Sequence, residues 1–330
     1  MTEKLQIRRA GNQDMEGVLY LLNLVFSAQQ RSTYRRDENF WNWKYLENPF
    51  GESLLTVAEA DGRIVGFDNL WPWELRYGDS LIRALQPCDS AVHPDYRGRG
   101  LFTSMRSHGL EGAEARDFDL IFNYPNAQSL SVNLALGWHH LGKIAWRVKI
   151  LKPVNVLAGR FSGEHTRPVK MDDAYRLDAS LISQLISSDP SGRAPIGINR
   201  KEGFHAWRYE SHPSRSYGMV QVGPEGSSSL AIFTVNQKGS AREMVIVDLL
   251  GSPANTPEVI RAALQAARKM GVGFVALMDN PEFGTGHLWK AGFVPRQLKN
   301  MVVLALNKEL EETVKHFSNW SLMAAMHDSI

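Results

Sequence analysis

Cysteine is almost missing from this chain: Cys88 stands alone among 330 residues. One thiol can build neither an intrachain disulfide framework nor a multi-cysteine metal site, and such sparse use fits a reducing compartment. Long apolar runs are missing as well, none approaching the ~20 residues of a membrane-spanning helix. The opening residues, Met1 to Arg9, lack the apolar stretch of a secretory signal. Charge of one sign is not in excess, with 37 Lys and Arg against 35 Asp and Glu for a net +2. That balance supplies no whole-molecule field for gathering nucleic acid or an anionic membrane, and leaves room only for a local basic site. His139 and His140 have no companions at metal-ligand spacing, so no metal is expected. These absences lead to the expectation of a soluble, cytoplasmic protein.

What is present is an ordinary globular composition, 43% hydrophobic and 22% charged, at a length that suits about two domains of ~150 residues. Apolar spacing predicts a strand at 5–9 and a helix over 15–26, whose apolar face holds Val18, Leu19, Leu21, Leu22 and Val25. Strands are expected at 54–60, 63–71, 73–77 and 81–92, the first two joined by a hairpin turn at Asp61-Gly62. A helix over 101–115, a strand at 118–123, a helix over 127–136 and a strand at 141–151 follow. The order is mixed α/β.

The sequence also repeats itself, which matters before any fold is named. Phe40-Trp-Asn-Trp43-Lys44-Tyr45-Leu-Glu-Asn-Pro49 returns as Phe204-His-Ala-Trp207-Arg208-Tyr209-Glu-Ser-His-Pro213. Further on, helix, strand, an Asx-rich corner, a short helix and a Gly-aromatic pair recur, ending at Gly137-Trp138 and Gly292-Phe293. Two copies of one module predict a domain over 1–151, a linker over 152–172, a second domain over 173–310 and a C-terminal helix or tail over 311–330. Lys152-Pro153 and Arg167-Pro168 interrupt the patterns at the linker.

The most telling stretch is Val92-His93-Pro94-Asp95-Tyr96-Arg97-Gly98-Arg99-Gly100-Leu101-Phe102. It lies between an expected strand and an expected helix marked by Leu101, Phe102, Met105 and Leu110, and that context gives the glycines meaning. The first N–H groups of a helix lack intrahelical partners and its dipole favours an anion, while glycines let a pyrophosphate approach the backbone. Arg97 and Arg99 add charge and donors. A solvated basic turn is the competing reading for Arg-Gly-Arg-Gly alone.

This stretch resembles the acyl-CoA pyrophosphate loop of the GNAT acyltransferase superfamily, Arg/Gln-x-x-Gly-x-Gly/Ala after a strand, often introduced by Val-His-Pro. Phe102 departs from the usual Gly or Ala. A second stretch, Asn126-Ala-Gln-Ser129-Leu-Ser-Val-Asn133-Leu-Ala-Leu-Gly137-Trp138, keeps the spacing of Asn-x-x-Ala-x-x-x-Tyr-x-x-x-Gly-Phe but puts Asn133 at the tyrosine. Together the two resemblances cover roughly 5–150. They imply two tandem GNAT-like modules, each a twisted mixed sheet flanked by helices. The second copy is degenerate, reading Val247-Asp248-Leu-Leu-Gly251-Ser-Pro-Ala-Asn-Thr-Pro257 where the loop should stand. It either completes an acceptor cleft or packs against the first copy.

The resemblance implies transfer of an acyl group from acetyl-CoA, or another acyl-CoA, to a primary amine by direct attack. Val92 would pair its main chain with pantetheine, and Arg97, Gly98, Arg99, Gly100, Leu101 and Phe102, with Asn126, would hold the cofactor. Asn133 is a poor proton donor, so Tyr124 is the alternative acid, with a packing role equally open to it. Gln86 stands near the place of a catalytic glutamate in some relatives and cannot act as a base. Asp89 is the nearest carboxylate, and a base role would require burial to raise its pKa. Cys88 lacks a basic partner and reads as a small buried hydrophobe. The tandem also resembles bacterial GNAT proteins of polysaccharide and amino-sugar modification. On that reading the acceptor is a small-molecule amine such as a sugar, and Trp41, Trp71 and Trp73 could line a stacking cleft. An acyl-CoA-binding regulatory or scaffold protein without catalysis is the alternative. An RNA-binding Arg-Gly protein fails for want of an aromatic-basic signature.

Overall fold

The computed structural model describes residues 4–27, 35–153, 166–187, 195–224, 227–280 and 284–327. The chain divides into two compact units, one of residues 1–75, 81–140 and 302–315, the other of 76–80, 141–301 and 316–330. Of the expected linker 152–172, residues 154–165 lie outside the described residues.

In the first unit, β1 (Leu5–Arg9), β2 (Leu54–Ala60), β3 (Arg63–Tyr77), β4 (Ser80–Val92) and β5 (Leu120–Asn123) are neighbours in that order. The β1–β2 and β2–β3 pairs are antiparallel and β4–β5 is parallel. The hairpin turn takes left-handed backbone at Asp61 (φ 47°) and Gly62 (φ 81°), as the Asp-Gly pair predicts. Pro72 does not split β3, and its carbonyl accepts from Asn48 Nδ2. Helices α1 (Met15–Ser27) and α2 (Glu38–Trp41) bury Val18, Leu21, Leu22, Phe40 and Trp41 against β2 and β3. Helix α3 (Leu101–Glu114) buries Leu101, Met105, Gly109 and Ala113, one per helical turn, while α4 (Ala127–Ala135) is capped by Asn126. β5 pairs on its far side with residues 302–305.

The second unit repeats this plan. The strand after α4, β6 (His139–Ile150), is followed by β7 (Thr166–Pro168), α5 (Ala179–Ser187), β8 (Gly197–Ile198), β9 (Tyr217–Val222), β10 (Ser229–Lys238) and β11 (Ala241–Leu250). Helix α6 (Thr256–Lys269), β12 (Phe274–Met278), α7 (Gly286–Lys290) and β13 (Val294–Ala305) complete the order. β10–β11 is antiparallel, β11–β12 is parallel, and β12 pairs antiparallel with residues 146–150 of β6. Each sheet is therefore finished by the last strand of the other copy. That exchange is why the compact units differ from the contiguous halves 1–151 and 173–310. A second difference lies at 311–330. The helix there is only Glu311–Val314, because Trp320, Leu322 and Ala324–Met326 are buried without helical spacing and Trp320 bridges Ile196.

Candidate functional site

The Arg97-Gly98-Arg99-Gly100 loop leads into the N-terminus of α3. β4 ends at Val92, His93 turns the chain, and Pro94–Tyr96 make a single 3-10 turn. His93 Nδ1 accepts from Asp95 N at 3.3 Å. Gly98 and Gly100 both sit at φ 75°, a region glycine enters without steric cost, and Gly100 caps α3. A Cβ built on either glycine meets nothing within 4 Å, so their backbone faces open space. Arg97 and Arg99 are exposed. Arg97 Nε donates to Val92 O at 3.4 Å, and Arg99 stacks 4.6 Å from the Tyr96 ring centroid. Two exposed cations beside the first N–H groups of a helix suit a diphosphate.

β4 and β5 are in register at Ala84↔Leu120 and Leu85↔Ile121, while β4 continues to Val92. Asp89 lies in that stretch with a left-handed backbone, φ 53°, for a residue that is not glycine. Its side chain accepts from Lys44 Nζ at 2.5 Å, Tyr45 Oη at 3.2 Å and Arg36 Nη2 at 3.5 Å. Lys44, only 2% exposed, also lies 5.0 Å from the Trp71 ring centroid. Lys44 and Tyr45 reach Asp89 because Asn42–Leu46 wind as a π-turn, closed by Glu47 N to Asn42 O at 2.8 Å. Burial pushes the Asp89 carboxyl up, but Lys44 and Arg36 outweigh it and hold it below the ordinary carboxylate range. The raised pKa that a base would need is therefore not what these surroundings give.

Tyr124 follows β5 directly, edge-on to Phe122 at 6.1 Å. Burial pushes its phenol above the ordinary value, so it stays protonated at neutral pH. Asn126 is engaged as the cap of α4, accepting from Gln128 N and Ser129 N. Leu101 packs into the core with Val65 and Met105. Asn133 is fully buried and accepts from Arg106 Nη1 at 3.4 Å. Arg106, which the sequence reading passed over, pairs with Asp68 at 2.7 and 2.8 Å. A charged residue inside a helix reads as solvent-facing, and only the buried spacing of Leu101, Met105 and Gly109 around it could have signalled otherwise.

The proposed stacking cleft is corrected. Trp41, Trp71 and Trp73 are 1%, 0% and 1% exposed, leaving no ring face for a sugar. Trp71 and Trp73 pack edge-to-face at 5.0 Å, Trp73 Nε1 donates to Gln86 Oε1 at 3.2 Å, and Trp41 packs on Tyr45 at 5.1 Å. Cys88 is buried, and its sulfur accepts from Asn69 Nδ2 at 3.0 Å. Among the described residues, no group of three or more His, Cys, Asp or Glu could hold a metal, and no helix is long and apolar enough to cross a membrane.

Residues 6–140 match the family model described as Acetyltransferase (GNAT) domain. Among solved structures, the chain is similar to a GCN5-related N-acetyltransferase from Anabaena variabilis, with a TM-score of 0.65 at 12% identity over 92% of this chain and 73% of that one. It is similar to a probable N-acyltransferase from Enterococcus faecalis, with a TM-score of 0.63 at 13% identity over 92% and 72%. Saccharomyces cerevisiae N-myristoyltransferase with bound myristoyl-CoA gives a TM-score of 0.62 at 13% identity over 91% and 82%. At such identities these likenesses show the fold. No curated protein matches the chain.

Proposed function

We propose that this chain, whose residues 6–140 match the model of an acetyltransferase (GNAT) domain, is an acyl-CoA-dependent N-acyltransferase that moves an acetyl group onto a small primary amine. The observation that carries the reading is the pair of left-handed glycines, Gly98 and Gly100, opening their backbone to solvent between two exposed arginines at the start of α3. The Arg97–Gly100 loop and the α3 N–H groups hold the pyrophosphate, and the Val92 edge of β4 pairs with pantetheine as an added strand.

The amine nitrogen attacks the thioester carbonyl carbon, the C–S bond breaks, and the departing thiolate takes a proton from the Tyr124 phenol. The proton lost by the amine goes to water and returns from water to Tyr124, since pairing with Lys44 and Arg36 leaves the Asp89 carboxylate too weak a base and Gln86 has no basic group. For the acceptor, the amino-sugar reading keeps only its family resemblance, because its aromatic support is buried. The alternative of an acyl-CoA-binding protein without catalysis is favoured by the engagement of Asp89 and Asn133 inside the fold. Thiol release from acetyl-CoA, followed across a panel of primary amines including amino sugars, separates the two. Release stimulated by an amine supports transfer, and binding without release supports the alternative.

A further inference from the structure

Phe102 and Asn133 are two of the places where this chain departs from the pattern its loop and helix otherwise follow, and both touch one side chain. The Arg106 guanidinium carbon lies 5.1 Å from the Phe102 ring centroid, and its Nη1 donates to Asn133 Oδ1. Arg106 and Asp68, each 1% exposed, form a two-point pair, and Arg106 Nη2 also donates to Ser90 Oγ at 3.2 Å. Ser90 in turn donates to Asp68 Oδ1 at 2.5 Å. Four elements thus meet at one guanidinium: β3, β4 just before Val92, the cradle helix α3, and α4.

We infer that Arg106 is a positioning residue for acyl-CoA, fixing the cradle helix against β4 and turning the Asn133 amide so that its NH2 group is left for the bound cofactor. This rests on the acyl-CoA reading above. A guanidinium only donates, so the Asn133 atom facing it must be the carbonyl oxygen. That leaves Asn133 Nδ2 buried with no hydrogen-bond partner among the described residues. A buried amide group without a partner is costly, and its persistence marks a partner that arrives with a ligand. The ion pair itself points the same way. A buried pair contributes little stability that well-packed apolar residues could not match, so geometry is the better account of it.

The test is acetyl-CoA affinity by calorimetry for wild type, Asn133→Asp and Asn133→Leu, both near-isosteric and both lacking the donor. Each is expected to weaken binding about tenfold, the scale of one lost hydrogen bond. For Arg106→Lys, the KM for acetyl-CoA should rise severalfold while the KM for the amine holds, measured well below the melting temperature. A purely structural role would lower Tm and leave these constants in place. If Asn133→Asp fails to fold, Asn133→Leu is read the same way. Unchanged affinity in the folded Asn133 variants overturns this inference and leaves the cradle reading standing. A wild type that binds no acyl-CoA overturns both.

Discussion

The two modules carry the same anchor and differ at the turn that follows it. In the first, Tyr45 and Lys44 hold Asp89. In the second, Tyr209 donates to Asp248 at 2.8 Å and Arg200 to both its oxygens at 2.6 and 3.0 Å. Both anchors hang on a π-turn, Asn42–Leu46 and Ala206–Glu210, and each aspartate precedes a proline-led 3-10 turn. Beyond that turn the copies part. α6 begins directly after Pro253–Asn255, whereas Arg97–Gly100 stand between Pro94–Tyr96 and α3. What separates the copies is the Arg-Gly-Arg-Gly loop itself.

Two further contrasts fit that loss. Asp89 keeps a left-handed backbone, while Asp248 is not among the residues with positive φ. Strain of this kind survives where the surroundings impose it, and it concentrates at functional sites. Arg208, the counterpart of Lys44, serves the C-terminal segment instead, donating to the carbonyls of Ala325 at 3.1 Å and His327 at 3.3 Å. Met323 and Ala324 of that segment line a small pocket with Asp248, Thr256 and Leu277 where strands β11 and β12 end.

Breaking the anchor should expose the difference most strongly. Asp89→Ala leaves Lys44 buried without its carboxylate, a loss expected at about 3–5 kcal/mol and accompanied by lost activity. Asp248→Ala should lower Tm less, because Arg200 is partly exposed, and should leave acetyl-CoA affinity unchanged. Thermal melts with parallel calorimetry check both. Next in size, Tyr124→Phe should lower kcat roughly 10²-fold with little change in acetyl-CoA KM. No comparable loss of kcat is expected in Tyr209→Phe, whose residue matches Tyr45 and holds Asp248.

The smallest effect is one of pH. Asp89 has a depressed folded pKa, so its stabilisation is fully present above the unfolded value of about 3.9 and is lost only as pH falls through the folded one. The Tm difference between wild type and Asp89→Asn should stay flat from pH 8 to about 5 and shrink below about 4. A difference that changes between about pH 5 and 7 would restore Asp89 as a base. Tyr124, with its phenol raised, should give a kcat that does not fall before about pH 10.

The strand–turn–helix setting of Arg97–Gly100 was legible because its signature is local: glycines, arginines and a turn proline in one continuous stretch. The repeat was legible for the same reason. The buried ion pairs were not, since Lys44 meets Asp89 and Arg106 meets Asp68 across long sequence separations, and charged side chains read as surface. The tryptophans misled in the opposite sense: an aromatic suits a sugar or a core equally well, and only burial decides. Strand exchange also escaped the sequence, because β6 and β13 look alike and nothing in their spacing says which sheet each completes.

The most direct measurement is calorimetric titration of acetyl-CoA into the full chain and into a variant lacking Arg97–Gly100, which gives the first module the second module's turn. The account predicts one site per chain in the wild type and none in the folded variant. Two sites in the wild type, or undiminished binding after the deletion, would contradict it.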